Sequence, residues 1–232
     1  MSGTALSIIM PVLDEAAGIE TALIALAPYR DRGAEVIIVD GGSRDGTRTL
    51  ARRLADCVLA TEQGRAQQMN AGRAVARGDI LLFLHADTRL PDNADTFIYE
   101  GLAKSGRAWG RFDVRFDRRG LLSFIAFMMN LRSRLTGIAT GDQALFVTRA
   151  AFDSVGGFPS IALMEDIALS MRLKRISRPF CIRARVTTSA RRWREHGMLR
   201  TIFLMWRLRL AYFFGADPAR LARRYGYASA EQ

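Results

Sequence analysis

Glu15, Asp40, His85 and Asp87 each stand at or just past the end of a short apolar run, and each can ligate a metal ion or a polar substrate group. The runs are LSIIM (6–10), EVIIVD (35–40) and ILLFLH (80–85). Pro11 and Val12 follow the first, Gly42 the second and Ala86 the third. Apolar runs without alternation are strands buried on both faces, as in a parallel sheet covered by helices. Ligands of such sheets collect at the carboxyl ends of the strands, so the four side chains are expected in one crevice. A plainer role is open to the same segments: Asp45 or Ser43 can cap the helix after the Gly-rich turn VDGGSRDGT, and Asp87 can lead the next one.

Glycine spacing narrows the chemistry. No GxGxxG follows the first run and no GxxxxGK[ST] occurs, which leaves neither a dinucleotide-dependent dehydrogenase nor a P-loop enzyme supported. A nucleotide diphosphate held without those loops needs a metal ion or arginines to neutralise it. Asp87 can ligate the metal. The arginines are concentrated at the other end, where residues 174–232 hold 14 Lys+Arg against 3 Asp+Glu and so carry the whole formal net charge of +11. A cap of that sign implies an anionic partner: a diphosphate, a phospholipid surface or nucleic acid.

The elements that must position these groups alternate. Strands are predicted at 6–10, 35–40, 57–60, 80–85, 108–116, 143–148 and 180–186, and helices near 17–28, 46–55, 65–77, 92–103, 121–135, 164–176 and 194–214. A chain of 232 residues, 49% hydrophobic, can bury one substantial core. The expected organisation is an α/β domain over 1–190, with a nucleotide-binding half (1–87) and an acceptor half (88–190), and a basic helical extension (191–232) packed on it. Cys57 and Cys181 lack ligand spacing and read as buried thiols of a reducing compartment. MSGTALSIIMP has no secretory pattern, so a cytoplasmic protein is expected. No segment reaches the ~20 apolar residues of a spanning helix. LLSFIAFMMNL (121–131) and MLRTIFLMWRLRLAYFFG (198–215) come partway; on the second, Arg200 and Arg207 share a stripe while Arg209 falls on the opposite side. Core or homo-oligomer packing is the first expectation for these helices, and peripheral contact with an anionic inner membrane face is the alternative.

Taken in order, PVLDE, VDGGSRDGT, GRAQQMNAGRAVARGD, LFLHAD, GDQALFVTR, VGGFPS, MEDIALSMRL and ARRW resemble the inverting family-2 glycosyltransferases of the GT-A fold, over about residues 6–196. Within that family the HAD, MED and RRW strings are most similar to a small bacterial subgroup labelled arsenosugar-biosynthesis glycosyltransferases. The resemblance implies a GT-A fold, with a Rossmann-like, mostly parallel sheet. It also implies transfer of a sugar from a nucleotide-diphosphate sugar to an acceptor hydroxyl, uridine being the commonest base. Pro11, Val12, Glu15, Asp40 and Gly42 match the loops that hold base and ribose, and Arg65 matches an arginine that contacts the nucleotide. The DxD motif maps to His85, Ala86 and Asp87, whose last carboxylate would bind Mg²⁺ or Mn²⁺.

The first aspartate of that motif is His85 here, which puts its usual ribose or water contact in doubt. His196 matches a C-terminal histidine that completes the metal site in some such enzymes, although a lone histidine can equally be a surface residue. Arg192 is expected, with Arg191, over the donor diphosphate. Inverting transfer is one displacement, so a carboxylate must take the acceptor proton opposite the leaving diphosphate. By family position that base is Asp166, beside Glu165; both could otherwise merely decorate a helix N-terminus. Gly141, Asp142, Gln143 and Trp193 match the acceptor or donor-sugar pocket. Ser189 replaces the glutamine of the processive QxxRW motif, so processive polymerisation is not expected. Two other classes stay open, a sugar-nucleotide pyrophosphorylase and a non-catalytic polyanion-binding module. Nucleic acid is not expected as a partner, because the converging carboxylates would repel its phosphates.

Overall fold

The computed structural model describes residues 6–118, 120–191 and 197–225. Eight strands form one sheet: β1 (Leu6–Val12), β2 (Glu35–Asp40), β3 (Cys57–Ala60), β4 (Ile80–Phe83), β5 (Thr88–Arg89), β6 (Trp109–Phe116), β7 (Phe146–Thr148) and β8 (Phe180–Thr188), in the order β3-β2-β1-β4-β7-β6-β8-β5. The first four, all from residues 6–83, are parallel. The sheet is not parallel throughout. β7 runs antiparallel to both β4 and β6, and β5 is antiparallel to β8. A three-residue strand entered from a 3-10 turn at Gly141–Gln143 leaves no alternation or length from which direction could be read.

Each face of the sheet has its own core, because side chains alternate along a strand. Leu6, Ile8 and Met10 of β1 pack with Ile19 and Leu23 of α1 (Ala16–Ile24), Tyr29 of α2 (Ala27–Asp31), Ile98 of α5 (Ala94–Ser105) and Ile125 of α6 (Leu121–Thr136). Ile9 turns to the other face, with Ile37, Val39 and Phe83 against Met69 of α4 (Arg65–Val75), Phe152 of α7 (Arg149–Ser154) and Leu169 of α8 (Glu165–Leu173). Helix α4 lies unusually close to the sheet: a Cβ on Gly72 would run into Ile9 and stand 3.0 Å from Val39. The helix expected over 17–28 is two helices, with Pro28 at the start of the second, where a missing N–H costs nothing. The short helix α3 (Thr47–Ala51) follows the Gly-rich turn.

A third cluster joins the C-terminal part to this body. Leu208 of α9 (Met198–Phe213) and Leu221 and Ala222 of α10 (Pro218–Tyr225) pack on Leu163 and Met164, the residues just before α8. Among the described residues no helix is long and apolar enough to cross a membrane. Both cysteines are half-buried and unpaired.

Candidate active site

The loops after β1, β2 and β4 meet at one end of the sheet, and side chains bind them together. Asp14 accepts from the Arg44 amide at 2.8 Å, and its own amide donates to Ser43 Oγ at 2.9 Å. Asp45 caps a helix, but not its own alone: it accepts from Ala16 N of α1 at 2.9 Å as well as from Thr47 N at 3.0 Å. Gln68 of α4 clamps the ends of two strands, donating to Val12 O at 2.9 Å and Val39 O at 2.7 Å. Asp40 is fully buried here, accepting from the amides of Gly42 and Ser43 and from Ser43 Oγ. It organises the turn rather than facing the cavity.

Beside these loops lies a cavity of about 360 Å³. Pro11, Glu15, Arg65, His85, Ala86, Asp87, Gly141, Asp142, Glu165 and Asp166 all line it, so ten of the residues expected from sequence converge. Val12, Asp40, Gly42 and Gln143 do not line it. Gln143 is fully buried; its side chain caps the 3-10 turn that presents Gly141, with Thr140 N donating to Gln143 Oε1 at 3.2 Å. Arg192, Trp193 and His196 lie outside the described residues. Arg191, just before them, lines the cavity and reaches Glu15 at 3.6 Å, closing the rim between the first strand-end loop and the basic segment.

Asp166 is the best-fixed acid of the cavity. Gly141 N donates to its Oδ2 at 2.9 Å and Ile167 N to its Oδ1 at 2.7 Å. Each oxygen keeps a lone pair for a further donor. Glu165 beside it is buried, and burial, reinforced by the Asp166 charge, pushes its carboxyl up to about 7. His85 Nδ1 stands 3.5 Å from Asp142 Oδ1. Burial works against the charged form of Asp142, yet His85, with Arg65 and Arg209, holds its pKa below the ordinary value. Glu15 is raised, by burial first; Arg191 opposes this, while Asp87 and Asp45 add to it. Gly141 must be glycine, since a Cβ there would overlap the His85 imidazole. Three of the four non-glycine residues with left-handed backbone, Asp14, Ala144 and Met164, adjoin Glu15, Gln143 and Glu165. Strain of this kind persists where surrounding structure enforces it, commonly at functional sites.

Among the described residues no three His, Cys, Asp or Glu side chains cluster as a ready-made ion cage. Asp87 is exposed to the cavity and takes one long hydrogen bond, from Thr88 Oγ1 at 3.3 Å. A single open carboxylate suits a hard cation that draws its other ligands from water and phosphate oxygens. Sequence reasoning missed Arg209 of α9 as part of the cavity wall. The signal was its position opposite the Arg200–Arg207 stripe: Arg200 and Arg207 are exposed, whereas Arg209 lines the cavity.

The chain is 36% identical over 198 residues to the succinoglycan biosynthesis protein ExoA of Rhizobium meliloti, a match covering 75% of this chain and 59% of that protein. The S. aureus TarS fragment 1–349 in complex with UDP-GlcNAc has the same fold, with a TM-score of 0.66 at 19% identity over 80% of this chain and 58% of the other. So does the mannosyltransferase PcManGT of Pyrobaculum calidifontis in complex with GDP-Man and Mn²⁺, with a TM-score of 0.64 at 21% identity, covering 98% of this chain and 70% of the other. These likenesses give a GT-A-like α/β fold. The chain spans well under two thirds of the ExoA and TarS lengths. The profile described as glycosyl transferase family 2 matches residues 7–152, from β1 through most of α7 and across the loops that carry Glu15, His85 and Asp87. By that match, the chain belongs to glycosyl transferase family 2.

Proposed function

We propose that the protein is a metal-dependent, inverting, non-processive glycosyltransferase that moves a sugar from a nucleotide-diphosphate sugar to an acceptor hydroxyl. The observation that carries this reading is the fixed carboxylate of Asp166, held by Gly141 N in the same cavity as Asp87, Glu15 and Arg65. In a single displacement the acceptor oxygen attacks the anomeric carbon while its proton passes to Asp166. The bond from that carbon to the diphosphate oxygen breaks, and the nucleoside diphosphate leaves with the electron pair. A divalent ion at Asp87, Mg²⁺ or Mn²⁺, would stabilise the charge of the leaving diphosphate when bound. Arg65 and Arg191 add positive charge along that wall, and burial beside Asp166 raises the Glu165 carboxyl to about 7.

UDP-GlcNAc and GDP-Man in the related structures support a nucleotide-sugar donor, and Mn²⁺ in one of them supports the metal. Residues 1–190 are read as the catalytic domain and 191–232 as an extension packed on it; α9 and α10 supply Arg209 and Tyr225 to the cavity wall, which supports that reading. Membership of the arsenosugar-biosynthesis-type subgroup rests on the HAD, MED and RRW strings alone and assigns no acceptor. Asp166→Asn tests the mechanism. It should lower kcat by roughly 10²-fold or more with donor affinity nearly unchanged. An unaffected kcat would move the base to Glu165 or Asp142.

A further inference from the structure

Arg132 and Arg209 have no part in the chemistry above, and their surroundings are unusual. Nε and Nη2 of Arg132 and Nε of Arg209 are shielded from solvent without a hydrogen-bond partner among the described residues. Neither guanidinium forms an ion pair there. Burying a cation without a partner is costly, and such groups are retained where something else satisfies them. Burial, and then the charge of Arg209, lowers Arg132 to about 10; Arg209 is lowered by burial as well. The two cations thus press on each other.

The carboxylates within electrostatic reach of both arginines are Asp166 and Asp142. Arg209 lines the same cavity as Asp166 and Asp142, so its unmet charge stands at the cavity that holds the proposed base, and Arg132 is near enough for the charge of Arg209 to act on it. Two guanidinium forks offer paired donors in a plane, the geometry that phosphate oxygens accept.

We propose that Arg132 and Arg209 form an anion subsite for the acceptor, binding a phosphate group carried by the molecule whose hydroxyl is glycosylated. This rests on the glycosyltransferase reading and extends it to the substrate class. The phosphate can be carried by a soluble metabolite or by a lipid. α6 and α9, which hold the two arginines, also expose Phe124, Phe127, Phe203, Trp206 and Phe213, so both sources belong in the test.

The test is calorimetric titration of the full chain with glycerol 3-phosphate, and flotation with vesicles containing phosphatidic acid, each with and without saturating UDP and Mn²⁺. Binding of at least one phosphate probe is expected to persist in the presence of UDP. Arg132→Met and Arg209→Met should each weaken it tenfold or more, with Tm equal to or above that of the parent, because each removes an unpartnered buried charge at similar volume. Arg209→Lys, which keeps the charge, should retain part of the binding and keeps the experiment readable if a methionine variant fails to fold. The soluble probe and the vesicles tell which source is used. Competition between the phosphate probe and UDP, methionine variants with parental affinity, or binding of neither probe would each overturn the proposal. Loss of Tm in step with affinity would also overturn it, as the mark of a structural role. Failure of UDP to bind would instead strike the donor reading and leave the phosphate titration interpretable.

Discussion

Glu165 is an acid kept from water beside a second acid, and its pKa of about 7 has a definite consequence for stability. In the unfolded chain it ionises near its ordinary 4.5, whereas in the fold it holds its proton until about 7. The folded state therefore binds one proton more across that window, and the stabilisation present below pH 4.5 is lost as pH rises to 7 and then levels off. Glu165→Gln should match the parent near pH 4 and exceed it above pH 7, by about 1–3 kcal/mol given ~1.4 kcal/mol per pKa unit. Thermal melts of the two proteins from pH 4 to 8.5 check this; a constant difference would exclude the proton as its cause. Asp87→Ala belongs to the same scale. It should abolish Mn²⁺-stimulated turnover and metal-dependent UDP binding together, and a variant still stimulated by Mn²⁺ would remove Asp87 from the metal site. Glu15, His85 and Asp87 were legible because they follow apolar runs, whereas Arg65, Asp142, Glu165 and Asp166 were expected from the resemblance to a family. Asp40 and Gln143 match the family motifs equally well but are buried in turns. The sequence cannot separate a side chain that touches a ligand from one that shapes the loop beneath it.

Among the elements, strands were the most legible, since β2 and β3 have the bounds expected from their apolar runs. What escaped were pieces too short for periodicity, the two-residue β5 and six-residue α7, and α10, a polar helix of eight residues. The cap that Asp45 places on α1 joins residues 29 apart, and no local pattern encodes it. Helix α4 depends on the bare backbone at Gly72, since Ile9 and Val39 fill the space a methyl group would need. Helix propensity alone would favour alanine there by about 1 kcal/mol. Overpacking should win: Gly72→Ala is expected to destabilise by about 1–3 kcal/mol in urea denaturation and to disturb Gln68 on the same helix. A stabilised variant would show that α4 can lift from the sheet at little cost.

For the molecule as a whole, the uneven charge was plain in the sequence, but its division of labour was not. Arg209 faces inward while Arg200 and Arg207 are exposed on the same helix as Phe203, Trp206 and Phe213, which are 73%, 71% and 79% exposed. Exposed aromatics among arginines suit an anionic membrane surface. The protein should float with anionic vesicles at low salt and detach as salt rises. Phe203→Asp with Trp206→Asp should release it, and a parent protein that ignores such vesicles at low salt would leave packing between copies as the account of this face. α9 also holds the turn before Asp166 in place, through Leu208 against Leu163 and Met164. One helix thus meets the substrate cavity on one side and solvent on the other. Thermodynamic linkage is reciprocal, so a surface that grips α9 more tightly in the substrate-bound protein must raise substrate affinity by the same factor. Loaded enzyme would then dwell at that surface longer than empty enzyme, and each completed transfer would shorten its stay.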